Sequence, residues 1–101
     1  MKNFILAVAG EIRHKDYGNH EDLEWSIPSV CERVRITSSE FQTESGYDYV
    51  IIDGTRFSGT SVSINVTISK DTKVYFHSDG GTKYPGFVLH WTCDHLGILI
   101  L

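Results

Sequence analysis

Ser61-Val62-Ser63-Ile64-Asn65-Val66-Thr67-Ile68-Ser69 alternates without a break between small polar side chains and β-branched aliphatic ones. A period of two puts Val62, Ile64, Val66 and Ile68 on one face and the polar residues on the other, as expected of a strand with one face in a core and one in water. The same reading extends outward. Val34 and Ile36 alternate with Arg33, Arg35 and Thr37, and Val74-Tyr75-Phe76 and Phe87-Val88-Leu89-His90-Trp91 supply two more strands. Tyr49-Val50-Ile51-Ile52 is an apolar run suited to a central strand covered on both sides. Turn residues stand between these runs at Ser45-Gly46, Asp53-Gly54, Ser58-Gly59, Lys70-Asp71 and Asp79-Gly80-Gly81. No segment carries a helical period, a repeat or low complexity. The pattern predicts an all-β chain folded as an antiparallel two-sheet β-sandwich. Its interior is expected to include Trp25, Ile27, Ile36, Val50, Ile52, Ile64, Val66, Phe76, Phe87 and Leu89.

A chain of 101 residues has room for a single domain, spanning 1–101, around one modest core. Hydrophobic residues at 41% and charged residues at 22%, with two prolines, describe a folded domain and not a disordered tail. A formal charge of −4 removes the electrostatic drive toward phosphate backbones, so nucleic acid is a poor partner. Lys2 followed by Phe4-Ile5-Leu6-Ala7-Val8-Ala9 has the outline of a signal peptide, but the run passes straight into Gly10-Glu11-Ile12 and reads as a first strand. Leu96-Gly97-Ile98-Leu99-Ile100-Leu101 falls far short of the ~20 residues of a membrane helix. It is a final edge strand, a contact surface or the cut end of something longer, and the sequence leaves the oligomeric state open.

Several pieces, in order, carry a resemblance. Gly10-Glu11-Ile12 leads to Tyr17, then come Leu23-Glu24-Trp25-Ser26-Ile27, Phe41-Gln42-Thr43-Glu44 and Tyr47-Asp48-Tyr49-Val50-Ile51-Ile52-Asp53-Gly54. Phe57-Ser58-Gly59 and Val74-Tyr75-Phe76-His77-Ser78-Asp79 follow, ahead of Gly86-Phe87. Over nearly its whole length the chain resembles a CUB domain, the jelly-roll-like extracellular module of complement proteases, tolloid-like proteases and spermadhesins. Leu23 stands where the family has a cysteine, none of the four familiar cysteine positions is cysteine here, and the loop from Glu44 to Asp48 is shorter than in many members.

The resemblance implies a calcium site. The family's glutamate and two aspartates fall on Glu44, Asp48 and Asp79, and Tyr17 matches the tyrosine that steadies the glutamate by a hydrogen bond. Calcium takes six to eight oxygens from carboxylates, carbonyls and water, and backbone carbonyls at Gly80 or Gly81 are suited to complete such a shell. The resemblance further implies a calcium-dependent recognition or adhesion module, in which the acidic loops grip a basic side chain, usually lysine, of a protein partner. Glu44, Asp48 and Asp79 would serve both ion and partner, with Tyr47 and Tyr84 beside them. The alternative is a glycan-binding module like some spermadhesins, with Tyr47, Tyr84 and Trp91 as stacking candidates, although Trp91 and Trp25 also read as core. Either function places the domain outside the cell.

The two cysteines, Cys31 and Cys93, lie off the family pattern. If their strands are neighbours a bridge is sterically allowed; otherwise they are two inert semi-buried thiols. Asn65-Val66-Thr67 is a glycosylation sequon, meaningful only on a secretory route. Among the five histidines, His77 alternates to the same side as Asp79, and His90 faces solvent or sheet neighbours. Neither a Gly-x-Ser-x-Gly elbow nor a His-Glu-x-x-His helix accompanies them, so the chain is read as non-catalytic.

Overall fold

The computed structural model describes residues 8–28, 30–82 and 84–96. Among them the chain is all strand and loop. The strands are β1 (Ala9–Lys15), β2 (Asp22–Trp25), β3 (Cys31–Gln42), β4 (Tyr49–Ile52), β5 (Thr55–Phe57), β6 (Asn65–Ser69), β7 (Val74–His77) and β8 (Gly86–Leu96). They form two four-stranded antiparallel sheets in the orders β1-β8-β3-β6 and β2-β7-β4-β5, packed as a sandwich. No helix among the described residues is long and apolar enough to cross a membrane. The first strand begins at Ala9, and the expectations for residues 1–7 and 97–101 lie outside the described residues.

Alternation builds the interior. Ile27, Ile36, Val50, Ile52, Ile64, Phe76, Phe87 and Leu89 are buried, and Trp25 and Val66 are half-buried against the same core. Phe76 and Phe87 meet across the sheets with ring centroids 5.3 Å apart, and Phe41 and Trp25 close on Phe87 at 5.8 and 6.0 Å. Such offset and edge contacts add to what burial of the rings contributes.

Two features depart from the simple pattern. β6 starts at Asn65, so Val62 and Ile64 keep their inward alternation in a segment that precedes the ladder. β4 is covered on one face only: Val50 and Ile52 are buried, whereas Tyr49 and Ile51 lie half-buried on the outer face. The Arg56 guanidinium sits 3.7 Å from the Tyr49 ring centroid and shields part of that face. The β4–β5 hairpin turns at Asp53 and Gly54, whose φ angles of 49° and 79° fit the mirror-image turn that an Asp-Gly pair favours.

A bulge in β3 sets which side chains turn inward toward its far end. Ser38 pairs with Leu89 and Glu40 with Val88, leaving Ser39 as the extra residue. Before it the inward residues are Val34 and Ile36, and after it Phe41 and then Thr43. The switch in parity carries Thr43 into the interior and delivers Glu44 to the end of the sandwich. At the other end of the same strands, Cys31 and Cys93 form a disulfide with Cα atoms 5.4 Å apart. Cys31 opens β3, and the bridge ties β3 to its sheet neighbour β8.

Candidate metal centre

Glu44, Asp48 and Asp79 come from three points in the chain and converge. Each offers a carboxylate oxygen, and these oxygens all lie within 4.8 Å of one another. Glu44 leaves β3, Asp48 immediately precedes β4, and Asp79 leaves β7 two residues after its end. The short loop from Glu44 to Asp48 does not separate the first two acids. The amides of Tyr47 and Asp48 both donate to the Glu44 carbonyl, at 3.2 and 2.9 Å, winding the segment into a tight turn. Gly46 takes φ 82° inside that turn, where a side chain would be strained.

The acids are held differently. Asp48 is buried, and both of its oxygens are engaged: Oδ2 accepts from the Tyr17 hydroxyl at 2.6 Å and Oδ1 from the Asp79 amide at 2.9 Å. Burial, and after it the Asp48 carboxylate, push the Tyr17 phenol well above its ordinary range, so it remains a donor. Tyr17 therefore steadies Asp48 and accepts from the Glu44 backbone amide at 3.3 Å; its link to Glu44 is to the main chain. Asp79 Oδ1 accepts from the Gly81 amide at 2.9 Å. Glu44 Oε1, by contrast, is buried and has no hydrogen-bond partner. Burial, then the charges of Asp79 and Asp48, raise the Glu44 carboxyl above its usual range. A buried, unpartnered carboxylate oxygen among like charges is costly unless a cation or proton joins it.

Gly81 forms one wall of this cluster. A Cβ there would stand 3.3 Å from Asp79 Oδ1 and 3.4 Å from Glu44 Oε1, so glycine keeps the space beside the carboxylates open. At Gly80 a Cβ would collide with the His20 ring at 2.6 Å, and the His20 amide donates to the Asp79 carbonyl at 3.0 Å, so the chain packs closely here.

Two buried hydroxyls were not singled out in the sequence. Thr43 Oγ1 donates to the Asp48 carbonyl at 2.9 Å and accepts from the Gly59 amide at 3.0 Å. Ser78 Oγ donates to the Gly18 carbonyl at 2.7 Å and accepts from the Glu21 amide at 2.9 Å, pinning the Gly18–Glu21 segment beneath Asp79. Their signal is positional. Each continues an inward alternation, Phe41 to Thr43 and Phe76 to Ser78, so each hydroxyl had to meet a polar partner in the interior.

The other candidates are dispersed. Tyr47 projects from the Glu44–Asp48 turn and is 61% exposed, whereas Tyr84 is half-buried against the core. Trp91 is only 4% exposed, so its ring is core and not a stacking surface. His77 does not join Asp79: it ends β7, bonds Asp22 at 2.7 Å and stacks on Tyr49, on the outer face. His90 bonds Ser39 Oγ at 2.8 Å, and His14 bonds Glu21 at 2.6 Å with its ring packed against Phe76 and Phe87. No protein-family model matches the chain, and no curated protein matches it.

Proposed function

We propose that this domain is a CUB-like, non-catalytic recognition module that binds one Ca²⁺ through Glu44, Asp48 and Asp79 and uses the ordered acidic loops to hold a basic side chain of a protein partner. The observation that carries the reading is the Glu44 oxygen, buried without a partner beside two further carboxylates. The donor set is all oxygen and three-fold anionic, which suits a hard cation of calcium's size. Gly81 leaves room beside it. When bound, the ion would neutralise the repulsion among the three acids. The chain's own residues do the rest: Tyr17 and the Asp79 amide fix Asp48, Thr43 ties the 44–48 turn to Gly59, and Ser78 anchors the approach to Asp79.

Tyr47, exposed at the tip of that turn, offers a ring beside the charged site for the aliphatic stem of a lysine or arginine. Glycan stacking is the weaker reading, because Trp91 is buried and Tyr84 half-buried, which leaves Tyr47 as the one freely exposed ring of its three candidates. An extracellular setting is in keeping with the Cys31–Cys93 bridge, since disulfides persist in oxidising compartments.

Calorimetric titration of chelator-treated protein tests the reading. One Ca²⁺ per chain in the 10⁻⁴ to 10⁻³ M range typical of extracellular modules is expected, with magnesium much weaker and Asp79→Ala silent. Absence of heat up to several millimolar calcium would sink it.

A further inference from the structure

Asn65 opens β6, the outermost strand of the β1-β8-β3-β6 sheet, and heads the chain's one Asn-x-Ser/Thr triplet. We propose that Asn65 is an attachment site for an N-linked oligosaccharide. Asn65 and Thr67 are both exposed on the outward face, while Val66 between them turns in against the core. The two groups the modification needs, an amide and a hydroxyl two residues on, thus stand together in solvent. Arg35 Nη1 donates to Asn65 Oδ1 at 2.9 Å. A glycan replaces one hydrogen on Nδ2 and leaves Oδ1 an acceptor, so that bond survives modification.

The surroundings fit the product as well. Asn65 and Thr67 pair with Thr37 and Arg35 of β3, short or flexible polar side chains over which a sugar can lie. On its other side β6 has no strand among the described residues, and an unpaired edge invites pairing with another chain. A bulky, hydrated oligosaccharide at its first residue blocks that approach.

The transfer balances without a redox partner. Nδ2 bonds to the anomeric carbon of an oligosaccharide carried on a lipid diphosphate, the carbon–oxygen bond to phosphate breaks, the lipid diphosphate leaves, and the Nδ2 proton is released. The inference shares with the proposed function only passage through an oxidising export route, with which the Cys31–Cys93 bridge agrees.

The test is translation of the whole chain behind a cleavable signal sequence in the presence of microsomes, reading the protease-protected fraction. Wild type and Thr67→Ser should run heavier by one glycan, removable by a peptide N-glycosidase, whereas Asn65→Gln and Thr67→Ala should not. Asn65→Gln combined with Ser61→Asn, which builds a sequon on exposed Ser61 and Ser63, reports that the transferase reached the chain. Protected wild type with the mass of Asn65→Gln overturns the proposal, and so does a chain that never becomes protected. Calcium titration of the Asn65→Gln protein should match wild type, so loss of the glycan and loss of the metal site are read separately.

Discussion

β3 and β8 are the two longest strands, and they are secured in opposite ways at their two ends. Where β3 begins, a covalent bridge joins it to β8. Where β3 ends, roughly 36 Å away at the usual rise per residue, the chain runs into Glu44 and a cluster of like charges. The disulfide end needs nothing from solution once formed. The acidic end is pre-built by hydrogen bonds around Asp48 but leaves Glu44 Oε1 without a partner. One end is closed by a covalent bond; the other gathers three carboxylates with one oxygen left without a hydrogen-bond partner.

Breaking the closed end should have the largest effect. A cross-link over a sequence separation of 62 restricts the unfolded chain by roughly 4 kcal/mol on the chain-entropy model. Replacing Cys31 and Cys93 by alanine should lower the melting temperature by about 15 °C or more, read by a thermal melt. The calcium response should survive in the folded protein, because sites this far apart act additively. Loss of both together would show that the two ends are coupled.

At the acidic end, Asp48 and Asp79 should behave differently. Asp48→Ala strips partners from the buried Tyr17 hydroxyl and the Asp79 amide, at about 1–3 kcal/mol for each group left unsatisfied. It should destabilise the domain even in chelator. Asp79→Ala removes a half-exposed carboxylate that accepts from the exposed Gly81 amide and repels Glu44, and should be nearly neutral in chelator while abolishing the calcium response. Equal destabilisation of the two in chelator melts would contradict the division of labour drawn here.

Glu44→Gln is expected to act with opposite signs in the two conditions. It removes repulsion from Asp48 and Asp79, so the chelated protein should melt slightly higher, while the calcium increment disappears. A lower melting point in chelator would mean that the Thr82 backbone bond to the Glu44 carboxylate outweighs the repulsion from its like-charged neighbours.

The smallest effect is on pH. The Glu44 carboxyl is raised above its ordinary 4.5, so the native state binds this proton more tightly than the unfolded chain does. Its contribution to stability is then fully present below 4.5 and is lost as pH rises through the raised value, which favours the calcium-free fold on mild acidification. Calcium requires the ionised form, so its stabilising increment should shrink over the same window. Melts at matched ionic strength, with and without calcium, should draw together as pH falls from 7 toward 4.5.

Much of this was legible in the sequence, and for identifiable reasons. The alternation at Val66 and Ile68 marks the inner face of β6, and at Val62 and Ile64 that of the segment before it, because one-sided burial repeats every two residues. Glu44, Asp48 and Asp79 were recognisable together only through the order of the flanking motifs, since isolated acids in loops carry no mark of their neighbours. Ser39 was illegible as a bulge: in Ser38-Ser39-Glu40 nothing apolar reports which residue is extra, and parity is lost until Phe41 restores it. The outer face of β4 reads as covered because Tyr49 and Ile51 are as apolar as a covered strand requires, yet no second layer packs there among the described residues and only the Arg56 and His77 side chains shield Tyr49. The Cys31–Cys93 pairing remained open because proximity depends on β3 and β8 being neighbours, which is a property of topology and not of spacing.

The central claim, that the acidic end is completed by one calcium ion, is tested most directly by the calcium-dependent melting shift of the full chain. At ~1 mM calcium and a dissociation constant of ~10⁻⁴ M, mass action adds roughly 1.4 kcal/mol. That corresponds to a rise of several degrees for a domain of this size, saturating over the millimolar range and absent in Asp79→Ala. A melting temperature of wild-type protein that does not move between chelator and several millimolar calcium would contradict it.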